Sequence, residues 1–324
     1  MILTTDLHLD DNPDNLYRWL VFDTIDEILR ETNETELFIL GDLCDRKDRH
    51  SGELVNQLVR TFAALKAESI IILMGNHDAP LRGTPFWSFL NELPHVRFIT
   101  KPVVRGSLVL LPSSTNPSKD WADIDFTHYQ AAFMHQTVKG AQHSVMLEES
   151  PGMVEFPKGL KVYSGDVHVQ QTVRGIVYVG APHPVKFGDD YSSRILILND
   201  RYVIKEEVKL YPPRKHVLTV NSLAQLKSMK VNEGDQAQIR INIPSSKMEQ
   251  WPVEQQAIAA WAADKGLRIA SIEATVEMDA EEQRQQAPAL GADPKAVLHA
   301  YAKAEGLDKR RIEVGLELLE ESEG

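Results

Sequence analysis

Short apolar segments alternate with amphipathic ones over the first 75 positions of the chain. Residues 1–5, 37–40 and 70–73 are apolar runs rich in isoleucine and leucine, which predicts short strands of a sheet buried on both faces. Residues 14–32, with Leu16 and Leu20 on the apolar face, and residues 52–66 carry apolar side chains at helical spacing. This spacing predicts two amphipathic helices between those strands. The alternation of strand and helix predicts a layered α/β sheet.

The pattern becomes β-rich in the middle of the chain, where short segments are separated by Gly, Pro, Ser and Asn. Strands are predicted in short pieces at 96–111, then at 130–134, 161–164, 176–179, 194–198 and 202–209. The sequence Tyr211-Pro212-Pro213 interrupts this pattern. Beyond it, strands at 216–220, 236–243 and 268–278 and helices at 223–229 and 253–265 predict a second, smaller α/β unit.

The C-terminal part of the chain differs in composition from what precedes it. Residues 279–291 are charged and rich in glutamine, which predicts a linker, and 293–324 predict two helices with one apolar face. Two helices of this size cannot bury that face by themselves, so we expect the tail to bind another surface. We therefore expect a main domain over 1–210, an α/β domain over 211–280, and a linker with a two-helix tail over 281–324.

Composition and charge narrow the class of protein. Hydrophobic residues make up 43% and charged residues 25% of the 324 positions, and no apolar run approaches the roughly 20 residues that cross a bilayer, so no membrane association is expected. No signal peptide is apparent and Cys44 is the only cysteine, which favours the cytoplasm, or the host cytoplasm for a phage-encoded protein. The net charge of -12 argues against a broad basic surface for nucleic acid. It leaves a metal-dependent nuclease open, because bound cations invert the field of an acidic site.

Polar side chains of one chemical kind follow five of the predicted strands. Because ligands of α/β sheets bind beyond the carboxyl ends of the strands, we expect these side chains to form one site. Carboxylate, imidazole and carboxamide groups are ligands of divalent metals, and two ions held together can bind a phosphate and activate a water. The residues are Asp6, His8, Asp42, Asn76, His77, His135, Asp166 and His168.

The order of these motifs carries a family resemblance. The motifs D-x-H, G-D-x-x-D-R, G-N-H-D, a strand ending in histidine and G-x-x-H resemble the calcineurin-type metallophosphoesterase superfamily. The sequences Thr-Asp-Leu-His-Leu and Phe-Met-His-Gln-Thr, the second α/β unit and the tail are similar to SbcD-type DNA-repair nucleases. The resemblance implies an α/β (α+β) fold, a four-layer β-sandwich flanked by helices, with an α/β capping domain and a helical tail.

The resemblance also implies a function. It is that of a two-metal-dependent DNA exonuclease and endonuclease, which hydrolyses phosphodiesters with a metal-activated water as the nuclease subunit of an SbcCD-type recombination and repair complex. The implied metals are two divalent ions, Mn²⁺ or alternatively Mg²⁺. Two alternatives stay open: a small-nucleotide phosphodiesterase or phosphatase of the same superfamily, and a weakly catalytic scaffold that binds DNA ends.

Residue roles follow from the resemblance, motif by motif. The first metal is assigned to Asp6, His8, Asp42 and His168, and the second to Asp42, Asn76, His135 and Asp166. His77 is implied as the catalytic imidazole, a role that suits a side chain titrating near neutral pH. The sequence departs from the family at 165–168, which reads Gly-Asp-Val-His where Gly-His-x-His is expected. Aspartate is the harder ligand, so this departure puts the second metal in question.

Neighbouring residues have supporting roles in this interpretation. Asp45 and Arg46 are expected to brace their loop or contact phosphate, Asp78 to brace its own loop, and Arg82 to contact phosphate or carry a solvated charge. Cys44 is expected to be a small buried side chain. The remaining histidines of the β-rich half are interpreted as ordinary loop residues: His128, His143 and His183.

The expected partners also come from the resemblance. They are DNA and, through the tail, the coiled-coil base of an SbcC-type ABC ATPase. The resemblance also implies a homodimer through helices of the region 52–66. The apolar face of Leu54, Leu58 and Phe62 is expected to belong to the core, and an exposed share of that face would support the dimer.

Overall fold

The computed structural model describes residues 1–80, 83–142 and 155–277, together with 295, 298–299, 301–302, 310–312, 314 and 316. The predicted linker and most of the predicted tail therefore lie outside the described residues. The strands, in chain order, are β1 (Ile2–Thr4), β2 (Glu36–Ile39), β3 (Ser69–Leu73), β4 (Val96–Ile99), β5 (Val103–Arg105), β6 (Leu108–Leu111), β7 (Ala131–His135), β8 (Lys161–Gly165), β9 (Gln171–Val173), β10 (Ile176–Tyr178), β11 (Ser193–Leu198), β12 (Ile204–Leu210), β13 (Lys215–Val220), β14 (Gln236–Pro244) and β15 (Arg268–Glu277).

Helices of two kinds lie between the strands. The α-helices are α1 (Leu20–Glu31), α2 (Gly52–Ala64), α3 (Pro117–Asp120), α4 (Leu223–Lys227) and α5 (Trp251–Asp264), and 3₁₀-helices occupy Pro13–Trp19, Phe86–Glu92, Phe126–His128 and Ser245–Gln250. None of the helices in the described part of the chain is long and apolar enough to cross a membrane.

Two six-stranded sheets form the body of the protein. The first has the order β12-β11-β1-β2-β3-β4 and the second β5-β6-β7-β8-β10-β9. Strands β1 to β4 run parallel to one another, as do β6, β7 and β8, so the carboxyl ends of these strands lie at one edge of each sheet. The mixed α/β fold predicted from the sequence is confirmed.

Apolar side chains on both faces of the first sheet explain its continuous hydrophobic runs. Ile2, Ile39 and Ile72 face the cluster that includes α1 and α2. Alternate residues such as Leu3 and Phe38 face the second sheet, where Leu110, Phe133 and Tyr163 complete another cluster. The outer face of the second sheet is covered by Trp121 and Phe126 near the short helices. The layers are therefore helices, sheet, sheet and short helical segments.

The helix predicted from 14 to 32 begins later than expected. Residues 13–19 form a 3₁₀-helix, and Leu16 and Leu20, assigned to the apolar face, are 50% and 57% exposed. The tighter winding turns Asn15 and Arg18 inward instead, where both are buried and hydrogen-bonded. Polar contacts rather than an apolar stripe thus set the conformation of this turn.

The remaining strands form a three-stranded sheet with the order β13-β14-β15. The chain divides into two compact units: one comprises Met1–Leu218, Met229–Ile239 and Ala259–Ser271, and the other Thr219–Ser228, Arg240–Ile258 and Ile272–Gly324. Strand β12 ends at Leu210 and β13 begins at Lys215. The domain boundaries expected from the sequence stay a prediction.

Candidate metal centre

The polar residues predicted at strand ends come together at the edge where parallel strands of both sheets end. Asp6 and His8 follow β1, Asp42 follows β2, and Asn76 and His77 follow β3, all in the first sheet. From the second sheet, His135 ends β7, and Asp166 and His168 follow β8. Three overlapping groups have ligand atoms within 4.8 Å of one another: Asp6 with His8 and His168; His8 with Asp42 and His77; and Asp6 with Asp42 and His135.

One half of the centre is formed by two imidazoles and two carboxylates. The Nε2 atoms of His8 and His168 are 3.2 Å apart, and His8 Nε2 lies 3.6 Å from Asp42 Oδ2. Asp6 and His8 are buried, whereas His168 is half-buried and closes the group from the second sheet. Two ring nitrogens that face each other beside carboxylates are a donor set for a divalent cation.

The other half surrounds the buried His135. Its Nε2 lies 3.3 Å from Asp42 Oδ1 and 3.7 Å from Asp166 Oδ1, while its Nδ1 is 2.6 Å from the carbonyl oxygen of Leu40. Because a carbonyl only accepts, the Nδ1–H donates to Leu40 and leaves Nε2 free to serve as a ligand. Asp42 lies between the two halves and reaches both with different oxygens.

The orientation of the Asn76 amide depends on what occupies the centre. The amide atom that faces the centre is 3.1 Å from both oxygens of Asp42 and 3.0 Å from His135 Nε2. If the atom that faces the centre is the amide nitrogen, it donates to Asp42 and His135. If it is the amide oxygen, it meets only other acceptors, and a hydrogen-bond donor is lacking. The orientation with oxygen inward is that of a metal ligand, because a bound cation would take the place of the donor.

The electrostatics of the buried groups also favour a bound cation. Burial raises the pKa of Asp6 to about 8, and the Asp42 and Asp166 carboxylates add to the shift against the opposing His135. Burial acts against the charge of both His135 and Asp42, but their mutual attraction outweighs it and moves the pKa of His135 up and that of Asp42 down. Asp6 Oδ2 is buried without a hydrogen-bond partner. This surplus of buried acceptors fits divalent cations.

The backbone at the centre is strained. Four of the predicted ligands have left-handed φ angles: Asp6 (52°), His8 (41°), Asp42 (51°) and Asp166 (76°). Such angles are unfavourable for residues with a Cβ and cluster at functional sites. The loops after β1 and β2 hold each other there, with Asp6 N donating to Gly41 O and His8 N to Asp42 O, both at 3.0 Å.

His77 lies at the rim of the centre. Its backbone N–H donates to Asp42 Oδ1 at 2.9 Å, and its Nδ1 is 2.8 Å from the carbonyl oxygen of Asp45. The carbonyl requires a proton on Nδ1, so in the neutral ring Nε2 is the acceptor. The half-buried His77 ring packs edge-on against His8, at 4.9 Å between ring centroids. This arrangement presents the Nε2 atom of His77 beside the predicted metal ligands.

The supporting residues have distinct positions. The Asp78 carboxylate is buried and accepts from Leu43 N at 3.1 Å and Gly75 N at 2.9 Å, so it joins the loops after β2 and β3. Burial and the nearby Asp42 raise the pKa of Asp78 to about 6. Asp45 Oδ1 lies 3.4 Å from His8 Nδ1, and hydrogen bonding with His8 lowers the pKa of Asp45 to about 2.

Arg46, Cys44 and His128 are not part of the metal-ligand groups found among the described residues. Arg46 is exposed, with its side chain lining a neighbouring cavity. Cys44 is fully buried in the core, in accord with a packing role. Arg82 and His143 lie outside the described residues, and His128 is exposed beside Asp125.

His183 is more than the ordinary loop histidine expected from the sequence. It is buried, with Nε2 2.9 Å from the carbonyl oxygen of Leu7, between the ligands Asp6 and His8. Burial and the nearby Arg18 hold the pKa of His183 well below its usual value, so it is neutral. Its position depends on a contact across 176 residues, which no local sequence pattern indicates.

Two further residues support the centre without having been predicted. Arg18 is buried and donates to the carbonyl oxygens of His8 and, at 3.3 Å, Val185. Asp189 is buried with Oδ2 3.9 Å from His168 Nδ1, and it accepts from the N–H groups of Val185 and Lys186 at 3.0 and 2.8 Å. The sequence signal available was weak, since both lie in polar stretches outside the motifs.

Fold and site together define the class of the protein. Two sheets whose strand ends meet in a carboxylate, imidazole and carboxamide cluster form the centre of a metal-dependent phosphoesterase. Residues 1–170 match the family model of the calcineurin-like phosphoesterases, which is more than half of the chain. The chain belongs to this family. A comparison with curated proteins found no match.

Proposed function

We propose that this member of the family is a two-metal-dependent nuclease that hydrolyses DNA phosphodiester bonds as the nuclease subunit of an SbcCD-type recombination and repair complex. The proposal of phosphoester hydrolysis rests on one observation: Asp6, Asp42 and His135 converge with the neighbouring imidazoles in one buried, acceptor-rich centre. The proposal that DNA is the substrate is supported by the motifs that resemble SbcD-type nucleases and by the α/β unit that follows the phosphoesterase sandwich.

The assignment of ligands follows the two halves of the centre. Asp6, His8, Asp42 and His168 would hold one ion, and Asp42, Asn76, His135 and Asp166 the other, with Mn²⁺ favoured and Mg²⁺ the alternative. When bound, the two ions supply Lewis-acid activation of a water and neutralise charge on the phosphate.

The protein contributes orientation and proton transfer. Asp42 fixes the spacing of the two halves because each of its oxygens faces a different histidine, His8 or His135. The contact of Nδ1 with Asp45 O fixes the His77 ring, and in the cationic form of the ring Nε2 would donate to a phosphate oxygen or to the leaving oxygen. Asp78 keeps the loops of Asp42 and His77 at a constant distance.

A cavity beside the centre has the chemistry of a nucleotide contact. It has a volume of about 350 Å³, and its lining includes Arg46 and Arg49 together with His50 and Phe86. The rings of His50 and Phe86 are 4.5 Å apart. Guanidinium groups bind phosphate, and aromatic faces stack on bases, so the cavity suits a nucleotide flanking the scissile bond. The acidic residues that also line it, Asp10, Asp11 and Asp48, oppose a second phosphate there.

The experiment that tests the proposal compares substrates. Purified protein is assayed with Mn²⁺ or Mg²⁺ on end-labelled linear DNA, on nucleoside monophosphates and on bis(p-nitrophenyl) phosphate. We expect DNA cleavage that is lost, by at least about 10³-fold, in Asp42→Asn, because both halves of the centre lose a shared ligand. Asp200→Asn is the matched control, since Asp200 is exposed after β11, which runs antiparallel to β1 and so leads away from the centre.

The outcomes separate the candidate functions. Hydrolysis of nucleotides without DNA cleavage would favour the small-nucleotide enzyme. DNA binding with neither activity would favour the scaffold. Cleavage that survives in Asp42→Asn would contradict the assignment of the centre.

We also propose two partners on the basis of the sequence. The tail would bind the coiled-coil base of an SbcC-type ABC ATPase, and a second copy of the chain would pack in the region of α2. Leu54, Leu58 and Phe62 are buried in the core, so this contact would use another face of the helix. Deletion of residues 293–324 is expected to abolish co-purification with such an ATPase when the two are expressed together, and to leave the nuclease activity of the single chain unchanged. Co-purification of the shortened chain would contradict this role of the tail.

A further inference from the structure

The loop after β7 is held in place by a buried hydrogen-bonded frame. The Tyr178 hydroxyl accepts from Val138 N at 2.8 Å and donates to Gln136 O at 3.1 Å. Ser164 Oγ accepts from Gln136 N at 3.2 Å. Tyr178 and Ser164 lie on β10 and β8 and are fully buried, so the loop has little freedom to move. Thr137, between the two residues that this frame holds, is therefore fixed.

Thr137 makes two hydrogen bonds to a single oxygen of Asp166. Its Oγ1 and its backbone N donate to Asp166 Oδ2, at 2.5 and 2.7 Å. The other oxygen, Oδ1, lies 3.7 Å from His135 Nε2 and faces the centre. The backbone N of Asp166 donates to Asp6 Oδ1 at 3.2 Å, which fixes the residue on its other side. Asp166 is thus held to present one oxygen, and only one, to a metal.

This arrangement makes the two halves of the centre chemically different. The half around His8 and His168 offers two imidazole nitrogens and the carboxylates of Asp6 and Asp42. The half around His135 offers one imidazole nitrogen and oxygens from Asp42, Asn76 and Asp166. Nitrogen ligands favour borderline ions such as Zn²⁺, and oxygen ligands favour hard ions such as Mn²⁺ and Mg²⁺.

We propose that Thr137 and Asp166 form a selectivity element that makes the His135 half a site for hard ions, so that the centre holds two different metals when Zn²⁺ and Mn²⁺ are both present. Zn²⁺ occupies the half with two imidazoles, and Mn²⁺ the half with Asp166. The proposal rests on the metal centre of the proposed function and is independent of its DNA substrate.

Metal binding itself is the measurement that tests it. Metal-free protein is equilibrated with equal concentrations of Zn²⁺ and Mn²⁺, and its metal content is determined, with electron paramagnetic resonance of Mn²⁺ as a second readout. We expect one zinc and one manganese per chain, with the resonance of an isolated Mn²⁺. Asp166→His supplies a second pair of imidazoles, and we expect it to bind two zinc ions and lose the manganese signal.

Two substitutions at Thr137 test the positioning role. Thr137→Val removes the Oγ1 donor at nearly constant volume, and we expect about 10-fold to 100-fold weaker Mn²⁺ binding by calorimetry, with Zn²⁺ binding in the other half unchanged. Thr137→Ser keeps the hydroxyl and is expected to bind Mn²⁺ like the unchanged protein. Thermal unfolding of the metal-free variants identifies any variant that fails to fold, and Asp166→His and Thr137→Ser remain as tests in that case.

Three results would overturn the proposal: two zinc ions in the unchanged protein, an unaltered metal ratio in Asp166→His, or Mn²⁺ binding by folded Thr137→Val that equals that of the unchanged protein. Each is measured without DNA. A mixed-metal centre in a protein that does not cleave DNA would therefore refute the nuclease proposal alone.

Discussion

Two glycines leave space that the predicted ligands of the metal centre occupy. A methyl group at Gly75 would overlap the Asp42 carboxylate, and one at Gly41 would overlap the imidazole of His135. Gly41 also has a φ of 102°, a conformation that side chains rarely adopt. These glycines allow the loops after β2 and β3 to approach the ligands closely, which is the physical reason for their place in the motifs.

Gly75→Ala is therefore expected to disable the centre. The added methyl group must displace Asp42, which serves both halves, and we expect Mn²⁺ binding to weaken by at least about 100-fold, as measured by calorimetry. Gly52→Ala is the matched control, because nothing lies within 4 Å of an added Cβ there and alanine favours the helix α2. Unchanged binding in Gly75→Ala would show that Asp42 tolerates the displacement.

At the residue scale, the sequence predicted the polar residues that follow the strands. Apolar runs that stop at Asp, Asn or His indicated the residues that the structure brings together, from Asp6 to His168. It did not indicate Arg18, Thr137, His183 or Asp189. Their roles come from hydrogen bonds that cross between loops distant in sequence, which periodicity and motif spacing do not encode.

At the scale of elements, the turn at Pro13–Trp19 shows how a local conformation serves the site. Its 3₁₀ winding points Arg18 at the carbonyl of His8, whose own backbone is left-handed. The same guanidinium reaches Val185 O, so it connects the loop of His8 to the loop that precedes Asp189. An apolar helical stripe, predicted from Leu16 and Leu20, could not supply these contacts.

Arg18→Lys is expected to loosen this element. A single ammonium cannot match the planar guanidinium that serves His8 O and Val185 O together. We expect the free energy of unfolding in urea to fall by about 2–4 kcal/mol, because buried carbonyls lose their donors. Arg30→Lys, on the exposed face of α1 and paired with Asp26, is the control and is expected to change little. A loss in both variants would exclude a specific role for Arg18.

Lys215, at the start of β13, should make stability depend on pH. It is buried and donates to Asn15 Oδ1 at 3.0 Å; burial and the nearby Arg18 lower the pKa of Lys215 to about 8 from 10.5. Between these values the unfolded chain binds more protons, so the free energy of unfolding should rise with pH from about 8 to 10.5.

The measurement compares urea unfolding of the protein and of Lys215→Met across this pH range. Tyrosines of the unfolded chain also titrate in this range, so the difference in the free energy of unfolding between the two proteins gives the contribution of Lys215. The rise with pH should be absent in the variant. A constant difference across the range would contradict the lowered pKa.

At the scale of the whole molecule, charge is unevenly distributed. The chain carries a net charge of -12, yet Arg46 and Arg49 line the cavity beside the metal centre. Because Asp10, Asp11 and Asp48 share this lining, the two guanidinium groups offer a local phosphate contact rather than a broad basic surface. Such a local contact would accommodate the proposed nucleic-acid substrate on an acidic protein.

The double variant Arg46→Ala, Arg49→Ala is expected to raise KM for DNA about 10-fold and to make cleavage less sensitive to salt, because two phosphate contacts are lost. Hydrolysis of bis(p-nitrophenyl) phosphate should stay the same, since that substrate does not extend into the cavity. Arg201→Ala, in the exposed turn between β11 and β12, is the control. An equal loss on both substrates would indicate a disturbed centre instead.

The left-handed backbone of the predicted ligands has a consequence for the evolution of the sequence. Asp6 combines a φ of 52° with a buried oxygen that has no partner, so in the metal-free chain asparagine or glycine would fit its place better than the native residue. Either substitution would remove a predicted metal ligand, and each is expected to raise the melting temperature of the metal-free protein. Selection for hydrolysis therefore opposes a drift toward more heat-resistant but inactive descendants.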